Sequence, residues 1–268
     1  MTLLISQSGE TADTLASLRY ARSQGQSILS VVNVPTSTMA RESDLVAATM
    51  AGPEIGVAST KAFTCQLVTL ACLAIAAGRA RGVLDAATER QLVGELIKLP
   101  GIMAQALKTE TAIEQMAGRL SKAKSVLYLG RGTSYPLALE GALKLKELSY
   151  IHAEGYAAGE LKHGPLALVD EDMPVIVVAP HDQLYEKTAS NMQEVAARGG
   201  RIILVTDAAG AAAAGIKPEA TIIMPTMNPM FTAMVYALPV QLISYHTALA
   251  MGKDVDQPRN LAKSVTVE

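Results

Sequence analysis

The chain contains no tryptophan, and only 4% of its 268 residues are aromatic. A surface that binds single-stranded nucleic acid needs basic tracks interleaved with stacking rings. Lys and Arg are scattered here, and the formal net charge is −2, so no nucleic-acid partner is expected. No uninterrupted apolar run reaches about 18 residues, so no transmembrane helix and no membrane partner is predicted. The N-terminus also lacks the basic start, apolar middle and small-residue cleavage site of a secretory signal. A cytoplasmic protein is the expectation. Cysteine is scarce too: Cys65 and Cys72 are the only two. With no neighbouring Cys or His they make no zinc site, and they read as buried small side chains on one helix.

What is present is apolar material, half of all residues, which excludes global disorder and suffices for a sizeable core. Short apolar runs alternate with longer amphipathic stretches, the signature of a parallel α/β sheet. Thr2–Ile5, Ile28–Val32 and Asp44–Thr49 read as strands, with helices at Thr11–Gln24 and Thr60–Ala77. A charged, mainly helical connection covers 85–123, broken at Pro100–Gly101. A strand at Val126–Leu129, a glycine loop and a helix at Pro136–Leu148 open the second half. Strands at Val175–Val178, Ile202–Val205 and Ile222–Met224 follow, with a helix at Tyr185–Arg198 between the first two and a long apolar helix at Phe231–Met251.

The halves repeat. The first four elements match Val175–Val178, Tyr185–Arg198, Ile202–Val205 and Ala220–Met224 in order and type, whereas Val126–Leu148 has no counterpart in the first half. The expected division is therefore a first unit at 1–84, incomplete at its start, a helical connection at 85–123, a second unit at 124–251 and a tail at 252–268.

Ser6-Gln7-Ser8-Gly9-Glu10-Thr11 falls between a predicted strand and a predicted helix. Such a junction directs backbone N–H groups and the positive end of the helix dipole at one point. Three hydroxyls and a glycine there suit a phosphate monoester. The spacing is neither that of a nucleotide P-loop nor that of a dinucleotide fingerprint. An ordinary helix cap accounts for the same spacing. A second small-residue junction, Val57-Ala58-Ser59-Thr60, also precedes a helix, and both fall at carboxyl ends of strands, where open α/β sheets bind ligands.

Four segments carry a family resemblance: SQSGETAD at Ser6–Asp13, EIGVASTKAF at Glu54–Phe63, LEGALKLKELSYIHAEGYAAGELKHGP at Leu139–Pro165, and DVDQPRNLAKSVTVE at Asp254–Glu268. The chain resembles the isomerase portion of the glutamine–fructose-6-phosphate aminotransferase (glucosamine-6-phosphate synthase) family. The first segment is common to many sugar-isomerase (SIS) domains, whereas the third and fourth are more specific. The resemblance implies an α/β fold of two SIS domains, each a flavodoxin-like parallel sheet between helices, the first lacking its opening strand and helix. It implies a phosphate site at Ser6, Gln7, Ser8 and Thr11, with Val57, Ser59 and Ala262 lining the sugar site. By similarity Glu147 moves a proton between C1 and C2, assisted by Lys144, which shares its helix face at i and i+3. His163 opens the ring from across a subunit interface, and Lys263 forms a Schiff base with the open ketose.

The substrate so implied is a hexose 6-phosphate, fructose 6-phosphate in the synthase, with ammonia supplied by a glutaminase domain absent from these residues. A homodimer is implied, and no metal, flavin or nicotinamide. Outside the resemblance, Lys144 with Glu147 reads as a helix-surface ion pair, His163 as a loop residue and Lys263 as a solvated tail lysine. Without the opening elements, weak or no activity is the expectation. Two other functions fit the fold: a standalone aminosugar-phosphate deaminase or isomerase, and a non-catalytic phosphosugar-binding regulator.

Overall fold

A computed structural model describes residues 1–266, so Val267 and Glu268, the end of the predicted tail, lie outside the described residues. The chain divides into two units: Met1–Leu96 with Arg259–Glu268, and Ile97–Pro258.

In the first unit β1 (Thr2–Ser6), α1 (Ala12–Ser23), β2 (Ile28–Val32), α2 (Thr38–Arg41), β3 (Leu45–Ala48) and α3 (Lys61–Ala80) follow in order, and α4 (Ala86–Ala106) begins within it. The three strands are parallel in the order β1–β2–β3, with Thr2 opposite Ile28 and Leu29 opposite Leu45. Leu15, Leu18 and Ala21 recur at helical spacing and place one face of α1 on Ile28 and Met39. As the sheet's edge strand, β1 leaves Leu3 and Ile5 exposed.

The second unit carries α5 (Glu110–Leu120), β4 (Ser125–Gly130), α6 (Ser134–Ser149), β5 (His152–Ala157), β6 (Pro174–Val178), α7 (Tyr185–Ala196), β7 (Arg201–Asp207), α8 (Ala208–Ala212), β8 (Ala220–Met224) and α9 (Thr232–Ala250). Its five strands are all parallel in the order β5–β4–β6–β7–β8. β6 is buried at every position, which explains its continuous apolar run. On one side Leu127, Leu129, Val175, Val177 and Leu204 pack with Tyr185, Met192 and Val195 of α7. The repeat read from the sequence is present in the strand order, since β1–β2–β3 and β6–β7–β8 are the same parallel series.

Gly141 positions α6. A Cβ there would stand 2.5 Å from the Tyr128 ring of β4 and 3.0 Å from Val240 of α9, so only glycine lets the helix lie this close to both. α9 is buried along most of its length within this unit. Burial within this unit accounts for its apolar character.

Two expectations are corrected, and one strand was not foreseen. Pro100 does not break the connection: α4 runs through it, and the break comes at the 3-10 turn Leu107–Thr109. The hydrogen bond lost at Pro100 is outweighed by burial of Leu99 and Ala106 on the same helix. Strand β5 was not predicted, because HAEGYA lacks β-branched residues. Cys72 is exposed and only Cys65 is partly buried, since the buried stripe of α3 runs through Ala71 and Ile75 and Cys72 falls beside it. By length and composition alone α3 is, among the described residues, a helix long and apolar enough to cross a membrane, with mean hydropathy 1.5, and Thr64, Gln66 and Thr69 interrupt its apolar run as the sequence reading had it.

Candidate active site

The first unit brings three of the singled-out segments together. After β1 the chain turns through Ser6–Thr11, where Ser6 Oγ accepts the Gly9 N–H at 2.9 Å and Ser8 Oγ accepts the Glu10 N–H at 3.2 Å. Two hydroxyls therefore close turns within the loop, Ser6 with Gly9 as the ordinary reading of the spacing had it, and neither caps α1. Thr11, the N-cap of α1, makes no side-chain capping bond. Gly9 has φ +68°, and a Cβ on it would stand 2.2 Å from Ser37 Oγ. Gly9→Ala is accordingly expected to destabilise the chain by about 2–4 kcal/mol, from backbone strain plus the clash. A denaturation midpoint unchanged by the substitution would refute this account of the loop.

The C-terminal tail returns to this loop. Ser264 Oγ lies 3.1 Å from Ser8 Oγ, and the Ala12 N–H at the start of α1 donates to the Val265 carbonyl at 3.1 Å. This pairing places Lys263 beside the loop that leads into α3. Its Nζ donates to Glu54 Oε2 at 3.0 Å and to the Gly56 carbonyl at 2.7 Å. The other Glu54 oxygen, Oε1, accepts the Thr60 and Ala62 N–H groups at 2.8 and 3.1 Å, so Glu54 caps α3 from outside the helix. Burial pushes its carboxyl upward, but those two backbone bonds and the Lys263 ammonium outweigh this and hold it below the usual carboxylate range. Gln7, Ser8, Thr11, Val57 and Ser59 are partly exposed along these loops, Ser6 is buried, and Ala262 is exposed.

The matching loop of the second unit shows why the two differ. After β6 it reads Ala179-Pro180-His181-Asp182, and carboxylates already hold its N–H groups: Asp207 Oδ2 accepts from His181 and Asp182 Oδ1 from Leu184, both at 2.8 Å. A small cavity of about 80 Å³ lies there, lined in part by His181, Asp182, Asp207 and Tyr236. Two carboxylates lining it disfavour a phosphate.

The second unit brings together the Lys144 and Glu147 pair read from the sequence. Lys144 Nζ donates to Glu147 Oε2 at 2.6 Å across one turn of α6. Lys144 is 5% exposed and Glu147 22%, so the carboxylate is reachable while the ammonium is held behind it. His163 is exposed, at the end of the 3-10 turn Ala158–His163 that follows β5. Three contributors were not singled out from the sequence. Glu54 acts over six and eight residues, which matches no local capping pattern. Ser264 shows only through the tail's path. Glu140 stands four residues before Lys144, a spacing that was there to be read.

The SIS-domain profile matches residues 1–76 and 119–251. The chain belongs to the SIS-domain family. Among its relatives, a glutamine–fructose-6-phosphate aminotransferase [isomerizing] of Bradyrhizobium diazoefficiens is 68% identical over all 268 residues, and one of Brucella abortus is 67% identical. The chain spans 44% of the length of each. Among solved structures, the C-terminal domain of glucosamine-fructose-6-phosphate aminotransferase from Francisella tularensis superposes with TM-score 0.92 at 47% identity, covering 96% of this chain and 73% of that one. The resemblance read from the four segments is thereby borne out, as is the SIS fold. A glucosamine-6-phosphate deaminase of Thermotoga maritima shares the fold at TM-score 0.77 and 23% identity, covering 98% of this chain and 74% of its own.

Proposed function

We propose that the chain is the sugar-phosphate isomerase portion of a glucosamine-6-phosphate synthase, converting fructose 6-phosphate and ammonia to glucosamine 6-phosphate. The observation that carries this reading is the joining of the hydroxyl loop to the lysine tail: the Ser8–Ser264 contact seats the tail on the loop that suits a phosphate, and the adjacent Lys263 reaches Glu54 and Gly56 before α3. On this reading Ser6, Gln7, Ser8 and Thr11 hold the phosphate, and Val57, Ser59 and Ala262 line the sugar. Lys263 leaves Glu54, loses a proton and attacks the open ketose as a neutral amine, and water leaves as the iminium forms. Ammonia displaces Lys263 from that iminium, and Glu147 then takes a proton from C1 of the resulting imine and returns it to C2, leaving the amino group on C2 and the carbonyl on C1. His163 opens the ring, and its exposure suits a side chain lent to a second subunit of a homodimer. Ammonia comes from a glutaminase domain outside these residues, in the cytoplasm, with neither membrane nor nucleic acid taking part. The domain division read from the sequence, 1–84, 85–123, 124–251 and 252–268, belongs to the same proposal.

The test is calorimetric titration of fructose 6-phosphate into the chain, with product followed in ammonia. Ser8→Ala is expected to weaken binding about tenfold, the equivalent of one charge-assisted hydrogen bond. Equal affinity for fructose and fructose 6-phosphate would remove the phosphate site and the proposal with it.

A further inference from the structure

Lys144 has two carboxylates within reach, not one. On the opposite side from Glu147, Glu140 Oε1 lies 3.9 Å from Lys144 Nζ, and the Glu140 side chain is 9% exposed. That oxygen has no hydrogen-bond partner among the described residues. A buried carboxylate with an unpartnered oxygen is costly, and packing alone gives no reason to place one here.

The surroundings define its charge balance. α6 presents Lys144 and Glu147, while α9 presents the uncharged Gln241, which approaches the Glu140 carboxyl. β4 presents Tyr128, whose phenol is kept neutral by burial. β5 meets the helix at Gly155, and its own His152 and Glu154 pair with each other. β6 is wholly apolar. One ammonium therefore stands between two carboxyls, and among the described residues no other cation acts on Glu140.

We propose that Glu140 is a positioning residue, an ionisable second anchor that competes with Glu147 for Lys144 and so sets how firmly the ammonium holds the proton-transfer carboxylate; its catalytic consequence rests on the isomerase reading. With Glu140 protonated, Lys144 pairs with Glu147 alone. With Glu140 ionised, the ammonium is shared between two carboxylates and Glu147 is held less firmly. Burial pushes Glu140 up to about 7, against the pull of Lys144 and Gln241 and with the Glu147 charge adding to the rise, so the exchange falls near neutrality.

The experiment is a carboxyl-carbon NMR titration of the chain with labelled glutamate, run beside a pH profile of fructose 6-phosphate turnover. One carboxyl should titrate near neutrality and vanish in Glu140→Gln. In Glu147→Gln the same carboxyl should move to lower pH by about one unit, because the two sites are coupled through Lys144. A purely structural Glu140 would not respond to that second variant. In turnover, wild-type kcat should rise through neutrality, and Glu140→Gln should flatten this limb and lower kcat about tenfold above it, with KM unchanged. No carboxyl titrating near neutrality, or one indifferent to Glu147→Gln, overturns the proposal. A chain showing the coupled titration but no affinity for hexose phosphate sinks the isomerase reading and leaves the coupling supported.

Discussion

Glu147→Gln is expected to lower turnover of fructose 6-phosphate by about 10²–10⁴-fold, the range for a positioned acid–base group, with little change in binding. An amide keeps the shape and a hydrogen bond to Lys144 but cannot accept a proton from carbon. The fold should survive. Lys144 keeps Glu140 at 3.9 Å, and loss of the Glu147 charge favours ionisation of Glu140, so the ammonium is not left buried and alone. Steady-state kinetics with ammonia saturating would separate the two effects, since a binding role raises KM and a proton-transfer role lowers kcat. A kcat within tenfold of wild type would remove Glu147 from the proton-transfer step.

The same helix shows how far sequence reading reaches. The i, i+3 spacing of Lys144 and Glu147 made their shared face legible, because α-helical geometry is local. That the face is buried was not legible, since it depends on Gly141 letting α6 lie against Tyr128 and Val240. Continuous apolar strands such as β6 and β7 were read within a few residues of their observed ends, because burial on both faces leaves a strong signal. β5 carries no such signal in HAEGYA; its pairing with β4, Ser125 against His152, forms it. Glu54 lay inside a quoted motif, yet its partners are Thr60, Ala62 and Lys263, the last of them 209 residues away. Contacts of that range leave no periodicity to read.

Glu54→Ala is expected to cost about 2–4 kcal/mol and to reduce ammonia-dependent turnover at least tenfold, through two separate consequences of one lost carboxylate. The stability loss follows from its bonds. Glu54 is 4% exposed and accepts two backbone N–H groups at the start of α3 as well as the Lys263 ammonium. Hydrogen bonds to a charged group are worth about 1.5–3 kcal/mol each, and Lys263, 29% exposed, can turn to water and recover part of the loss. On the isomerase reading, the turnover loss follows because Lys263 loses the carboxylate that holds it at the loop before α3. The pH dependence supplies the sign. The folded-state pKa of Glu54 is depressed, so its contribution is present above the unfolded carboxyl value and fades as pH falls through the folded one. Wild type and Glu54→Ala should therefore differ most in denaturation midpoint at neutral pH and converge in acid, below the ordinary glutamate range. A gap between them that stays constant from neutrality into acid would mean that Glu54 stabilises by packing, and that Lys263 has no charged partner to leave.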